Sequence, residues 1–283
     1  MSVAAILGAG PIGAAVAHAL AVRARFREVR LIDEQGKVAA GKALDLLQTG
    51  PILRFDTRLS AVSDLLAAAG GDVVVVADRV DGGEWQGEAG LAMVRRLIAA
   101  GVTAPLVFAG PSQTRLMELA SSELAVPRDR LVGSAASAVA GAARALVALE
   151  LDGSADDVDL VVAGRPPALV VGWSSATCAG SLVTSRVPAH RLLAISSSLR
   201  RLWPPGPQAT GAATARVAEG LAFGARRLVQ AVTMLDGEYG ARGVAAMLPL
   251  SLGNGRILGR HLPSLSPQEE VTMGTGLCST DPA

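Results

Sequence analysis

Val3-Ala4-Ala5-Ile6-Leu7-Gly8-Ala9-Gly10-Pro11-Ile12-Gly13 opens the chain, and an apolar-periodic run from Ala14 to Val22 follows it. A second β-rich run, Val29-Arg30-Leu31-Ile32, ends on Asp33. Glycines spaced G-x-G-x-x-G between a short strand and a helix, with an acid about twenty residues on, form the pattern of a dinucleotide-binding turn. Gly8 allows the tight turn, Gly10 lets the backbone approach a pyrophosphate, and Gly13 lets the helix pack on the strand. The free N–H groups and the dipole of the helix N-terminus then hold the phosphates. Expected cofactor contacts are therefore Gly8, Gly10, Pro11, Ile12 and Gly13, with Asp33 accepting from the ribose hydroxyls. Ala77 and Gly110, each just past a later strand-like run, complete the set. A carboxylate at Asp33 repels a 2′-phosphate, so the expected cofactor is NAD rather than NADP. Glycines at such a turn also serve packing alone.

With 283 residues the chain is long enough for one large or two medium domains with real cores. A net charge of +1 gives no basic excess for nucleic acid, and 3% aromatics leave no base-stacking platform. Lysine occurs only at Lys37 and Lys42. No apolar run reaches the roughly twenty residues of a membrane span, and the N-terminus lacks the charged start of a signal sequence. Cys178 and Cys278 have neither disulfide-framework nor zinc-site spacing, so no metal is expected and the chain is placed in the cytoplasm.

Short β-rich runs alternate with helical stretches through the first half, which predicts an α/β fold with a doubly wound parallel sheet of Rossmann type. Candidate strands are 4–7, 29–32, 73–76, 106–108 and 130–132; candidate helices are 12–22, 39–48, 90–100 and 112–121. After Gly133 the character changes. A long Ala-rich helix over 134–151 leads into β-like runs at 158–163 and 168–173, a Pro-rich break at 203–207, and a helix over 212–232. Strands over 243–252 and 256–262 turn at Gly253-Asn254-Gly255. The expected organisation is a dinucleotide-binding domain over 1–134 and an α+β C-terminal domain over 135–283. The tail after Pro267 starts as a helix and ends too rich in Gly, Ser and Pro for order.

Several segments in order resemble the lactate/malate dehydrogenase family: Leu31-Ile32-Asp33, Gly41-Lys42-Ala43-Leu44-Asp45-Leu46, Pro127-Arg128-Asp129-Arg130-Leu131-Val132-Gly133, Trp173-Ser174-Ser175-Ala176-Thr177, Leu235-Asp236-Gly237-Glu238-Tyr239-Gly240 and Leu248-Pro249-Leu250-Ser251-Leu252-Gly253. The resemblance implies NAD as cofactor and a homo-oligomer, a dimer or tetramer paired through the helix at 39–48. It also implies a loop over 80–88 that closes on substrate, where Gly82-Gly83 favours mobility.

Oxidation of a 2-hydroxy acid needs a base of pKa near 7, a carboxylate to orient it, and arginines for the substrate carboxylate and the reacting carbonyl. The family takes the Asp and Arg from the helix after Gly133, where this chain has Val139 and Ala142. Arg144 lies about 200° around that helix from Ala142. The family's histidine, in a Gly-x-His-Gly arrangement, is replaced by Pro166 of Gly164-Arg165-Pro166-Pro167. The loop from Val80 to Glu88 has no arginine, and the family's Asn-Pro has become Gly110-Pro111. Catalytic residues are thus expected to be absent, with Arg79 and Arg165 the possible substitutes. His18, His190 and His261 read as surface or partly packed residues, Cys178 as core, Asp156-Asp157 as a solvated turn and Tyr239 as structural.

Three readings remain open. The chain binds NAD(H) as a pseudoenzyme; it is an oxidoreductase with a rebuilt site acting on another alcohol or carbonyl; or it is a structural subunit without cofactor.

Overall fold

The computed structural model describes residues 2–81 and 83–278. Strand β1 (Val3–Leu7) runs into helix α1 (Pro11–Arg23), whose first residue is proline, with a backbone angle pre-set for a helix and no N–H to lose. Strand β2 (Glu28–Ile32), helix α2 (Gly36–Gln48) and strand β3 (Arg58–Val62) follow. Next come β4 (Val73–Val76), the helix Gly87–Ala99, β5 (Leu106–Phe108), the helix Thr114–Ser122 and β6 (Leu131–Gly133). Four consecutive β-branched valines, all buried, make β4 a strand with both faces covered. The order β3-β2-β1-β4-β5-β6 is parallel throughout.

The sheet does not stop there. Val229–Asp236 pairs antiparallel with β6, and Arg242–Gly253, Val162–Arg165 and Ala168–Val171 continue it, to eleven strands in all with Arg256–Arg260 alongside Arg242–Gly253. The change from parallel to antiparallel coincides with the start of the Ala135–Leu151 helix, which packs on the antiparallel part. Asn254 and Gly255, both with positive φ, form the two-residue turn between Gly253 and Arg256. The helix Pro207–Phe223 crosses α1 so closely that a Cβ on Gly211 would lie 2.6 Å from the carbonyl carbon of Ala15. That crossing ties the C-terminal half to the first helix of the nucleotide half.

The expected helix over 212–232 is instead two elements. It ends at Phe223 because Gly224 takes a positive φ, and the β-branched segment from Val229 enters the sheet. Strand β3 was not among the sequence candidates; its partly exposed edge position leaves only weak apolar patterning. His190 lies inside the first turn of the helix Ala189–Arg201. Pro267–Cys278 is helical, and the tail expected to lack order, 279–283, lies outside the described residues. Among the described residues no helix is long and apolar enough to cross a membrane.

Candidate active site and dinucleotide groove

Strands β1 and β4 are neighbours whose following helices lie on opposite sides of the strand order, so a crevice opens beyond their carboxyl ends. The glycine loop lines one wall of it. Each fingerprint glycine is required by close backbone: a Cβ on Gly8, whose φ is +109°, would lie 2.2 Å from the Asp78 carbonyl oxygen, and one on Gly13 would lie 2.1 Å from the Gly8 carbonyl oxygen.

Gly10 faces a side chain. A Cβ there would lie 2.5 Å from both Cγ and Oδ2 of Asp78. The Asp78 carboxylate, itself 6% exposed, accepts from the Gly13 N–H at 2.9 Å through Oδ1 and from the Ile12 N–H at 3.2 Å through Oδ2. These are the first-turn donors that α1 would present to a phosphate. The rest of the loop is also engaged. Gly8 N–H donates to Ile32 O, Ala9 N–H to Asp33 Oδ2, Gly10 N–H to Asp78 O and Ala14 N–H to Gly10 O, while Pro11 has none. In this conformation the residues of the loop do not fit a pyrophosphate: every N–H from Gly8 to Ala14 has an internal acceptor, and an anion already sits at the helix end.

The adenosine side is different. A cavity of about 130 Å³ lies against Ile32, Asp33, Ser63, Arg79, Trp85 and Arg96. Asp33, 6% exposed, accepts from Ala9 and Val80 N–H through Oδ2 and from Gln35 N–H through Oδ1. Those three bonds use most of a carboxylate's roughly four acceptor sites. The Arg79 guanidinium stacks 5.0 Å from the centre of the Trp85 ring and lies 3.5 Å from Asp81. Arg79 therefore belongs to this cavity and is absent from the lining of the substrate-side groove.

Beyond β4 the chain turns back on itself. Asp78 and Glu84 form an isolated antiparallel bridge, and Arg79 N–H donates to Gly83 O at 2.9 Å. Gly83 N–H in turn points to Asp81 at 3.4 Å, while Gly82, also expected to be mobile, lies outside the described residues. This folding brings Glu84 to the place left by Gly110, where a Cβ would lie 2.2 Å from Glu84 Oε2. Oε2 accepts from Ser112 N–H at 3.0 Å. Burial raises the Glu84 carboxyl above its ordinary value and the Asp78 charge adds to that, against the lowering effect of the Ser112 bond. Gly110 N–H donates to Gln113 Oε1, and Ala77, fully buried, accepts weakly from Gln113 Nε2.

The substrate-side groove has a volume of about 780 Å³, with Pro111, Arg115, Glu118, Arg165, Pro166 and Trp203 in its wall. Its two arginines share one partner. Glu118, 5% exposed, lies 3.1 Å from Arg165 through Oε1 and 3.2 Å from Arg115 through Oε2, and Oε1 also accepts from Ala245 N–H. Arg165 is thus held in an internal ion pair. Val139 is buried against a separate, mainly apolar cavity that also includes Trp173, and Ala142 packs against the core. Arg144 points toward Asp159 at 3.9 Å.

None of the three histidines lines the groove. His261 shares a 2.7 Å hydrogen bond with Ser251 Oγ. Cys178 is buried in a two-residue strand, Ser154 caps the turn at Asp156-Asp157, and the Tyr239 hydroxyl donates weakly to Pro263 O. Sequence reasoning passed over Asp78, Glu84 and Glu118. The signal for Asp78 was its place: an acid two residues past the end of β4, at the mouth of the same crevice as the glycines.

Residues 2–86 match the family model described as lactate/malate dehydrogenase, NAD binding domain. Over 271 residues the chain is 31% identical to a malate dehydrogenase of Thermomicrobium roseum, covering 89% of this chain and 87% of that protein. A solved malate dehydrogenase structure from Salinibacter ruber superposes with a TM-score of 0.80 at 25% identity, covering 97% of this chain and 93% of that one. A minor L-lactate dehydrogenase from Enterococcus mundtii gives 0.83 at 20% identity, covering 97% and 95%, and shares the fold. The chain belongs to the lactate/malate dehydrogenase family, and the cofactor of its nucleotide domain is NAD.

Proposed function

We propose that this protein is an NAD(H)-binding member of its family that no longer oxidises 2-hydroxy acids, a pseudoenzyme acting through binding. The observation that carries the reading is the substrate-side groove. Pro166 stands where a histidine would take the hydroxyl proton, and Arg165, the more buried cation of the groove wall, is held by the Glu118 carboxylate that it shares with the exposed Arg115. A proline has no proton to exchange, and an arginine held by a buried carboxylate offers a substrate carboxylate little. Cofactor contacts are assigned to Gly8, Gly10, Pro11, Ile12, Gly13, Asp33, Ala77 and Gly110, with the nucleotide domain ending near residue 134.

A second reading, an oxidoreductase rebuilt around another alcohol or carbonyl, draws support from Glu84. Its carboxyl is raised by burial and lies against Gly110, next to the groove residues Pro111 and Ser112. Neither Arg79 nor Arg165 serves it, since they face different cavities and each has an acidic neighbour.

The apolar residues Leu44, Leu47 and Ile52, exposed on α2 and the short helix Gly50–Leu53, suit a face covered by a second copy, as the homo-oligomer reading requires. The two free cysteines suit a reducing compartment such as the cytoplasm.

The test is calorimetric titration with NADH beside turnover of pyruvate and oxaloacetate. Heat of binding is expected, with turnover at least about 10⁴-fold below that of an intact site, because base and charge-stabilising donors are lost together. Steady turnover of pyruvate or oxaloacetate would overturn the first reading, and turnover of a different carbonyl substrate that Glu84→Gln abolishes would establish the second.

A further inference from the structure

We propose that Asp78 is a built-in competitor of the cofactor: its carboxylate occupies the pyrophosphate position at the start of α1, and NAD(H) binds only when Asp78 is displaced. The proposal rests on the cofactor reading above and gives that site its regulation. It goes beyond the fingerprint, which contains nothing to indicate that the loop is already filled.

The argument is a census of donors. A phosphate at a helix N-terminus is held by backbone N–H groups that lack an intrahelical partner. In α1 those are the N–H groups of Ile12 and Gly13, since Pro11 has none and Ala14 already donates to Gly10 O. Both donate to the two oxygens of one buried carboxylate, at 3.2 and 2.9 Å. A carboxylate satisfies the helix dipole by the same physics as a phosphate oxygen, so the anion in place is a chemical stand-in for the ligand. The absent side chain of Gly10 leaves the gap through which a pyrophosphate approaches the loop, and that gap holds the Asp78 carboxylate, 2.5 Å from where a Cβ would be.

The position of Asp78 is itself constrained. Its carbonyl accepts from Gly10 N–H, and its residue bridges to Glu84 across the turn that follows β4. Glu84 adds a second carboxyl along the same wall, toward Gly110. A dinucleotide entering this groove therefore meets charge of its own sign at the phosphates and a filled site beyond them. The adenosine cavity beside Asp33 and Arg79 carries no such obstruction from Asp78, which is not in its lining. Displacement breaks the two bonds that the carboxylate accepts, after which the Ile12 and Gly13 donors are free.

NADH titration of the full chain, wild type against Asp78→Ala and Asp78→Asn, with adenosine as a phosphate-free probe, tests this. Asp78→Ala is expected to bind NADH at least about tenfold tighter than wild type, since it removes a charged hydrogen-bonding competitor. Asp78→Asn keeps the shape and one acceptor oxygen without the charge, so it guards against a folding defect and is expected to fall between. Adenosine affinity is expected to be the same in all three.

Equal NADH affinity in wild type and both variants would overturn the competitor role while leaving the cofactor reading intact. A parallel gain for adenosine would also overturn it, by showing a general loosening of the groove. Absence of NADH binding in every form would remove the cofactor reading, and this proposal with it.

Discussion

At the glycine loop every residue of the fingerprint is in place and packed on backbone, whereas the wall of the larger groove carries Pro166, which has no proton to exchange, and Arg165, which is paired with Glu118. The difference follows from what each position touches. Gly8 and Gly13 are locked by carbonyl oxygens about to be struck by any Cβ, at 2.2 and 2.1 Å, so the strand–turn–helix junction requires them with or without a ligand. A catalytic histidine or arginine at the mouth of an open groove has no such packing duty. Once its chemistry is unused, nothing in the fold retains it. A residue kept by packing therefore stays with or without a ligand, whereas one kept only by chemistry has no such hold. The loop's own donors make the same point, since they are satisfied by Asp33 and Asp78 without any cofactor.

The largest effect that sharpens this contrast is on stability. Gly13→Ala forces a methyl into the Gly8 carbonyl, where backbone has to move, and is expected to cost about 3 kcal/mol. Gly41→Ala is the control: Gly41 lies in the exposed face of α2 with nothing within 4 Å of an added Cβ, and alanine there should gain up to about 1 kcal/mol from helix propensity. Urea unfolding of both variants without cofactor measures the two. A Gly13→Ala protein as stable as wild type would mean that packing does not keep the fingerprint, and that ligand binding must.

Next in size is Asp78→Ala. Removing the cap leaves two first-turn N–H groups without an acceptor, at an expected cost of about 1–2 kcal/mol. Asp78→Asn should lose less, because its amide oxygen still accepts one of the two. Saturating NADH is expected to restore Asp78→Ala beyond what it adds to wild type, since only in the variant are the donors free from the start. Identical NADH-induced shifts in melting temperature would show that the two anions do not share the site.

The nucleotide half of this molecule was legible because its signals are local. The glycine spacing and the valine run of β4 each fix backbone geometry within a few residues. The second half was less so. The segment from Ala212 to Val232 reads as one apolar stretch, and only the positive φ of Gly224 divides it into helix and strand. Val139, Ala142 and Pro166 were placed by counting along the chain alone. The acidic partnerships around the two grooves could not be. Asp78 meets Ile12 and Gly13 across 66 and 65 residues of chain, and Glu118 gathers Arg165 and Ala245 from two distant strands. Those partnerships depend on tertiary approach, to which no spacing along the chain points.

The smallest expected effect lies between the two ends of the groove, at Glu84. Its carboxyl is raised in the folded protein, chiefly by burial and further by the Asp78 charge. The folded state therefore holds this proton to higher pH than the unfolded chain does, where a glutamate titrates near 4.3. Between those two values the native protein binds more protons, so the contribution of Glu84 is fully present below the unfolded pKa and is lost as pH rises through the folded one. Glu84→Gln keeps an oxygen to accept the Ser112 N–H and removes the titration. Unfolding free energies of wild type and variant, measured from about pH 4 to about pH 8, should converge at the acid end, with the variant the more stable at the neutral end; parallel curves would remove Glu84 from the pH response. Partial exposure to water keeps the gap small. In an Asp78→Ala background the gap should shrink further, because part of the upward shift comes from that carboxylate. A gap left unchanged by Asp78→Ala would place burial alone behind the shift and separate Glu84 from the anion at the helix end.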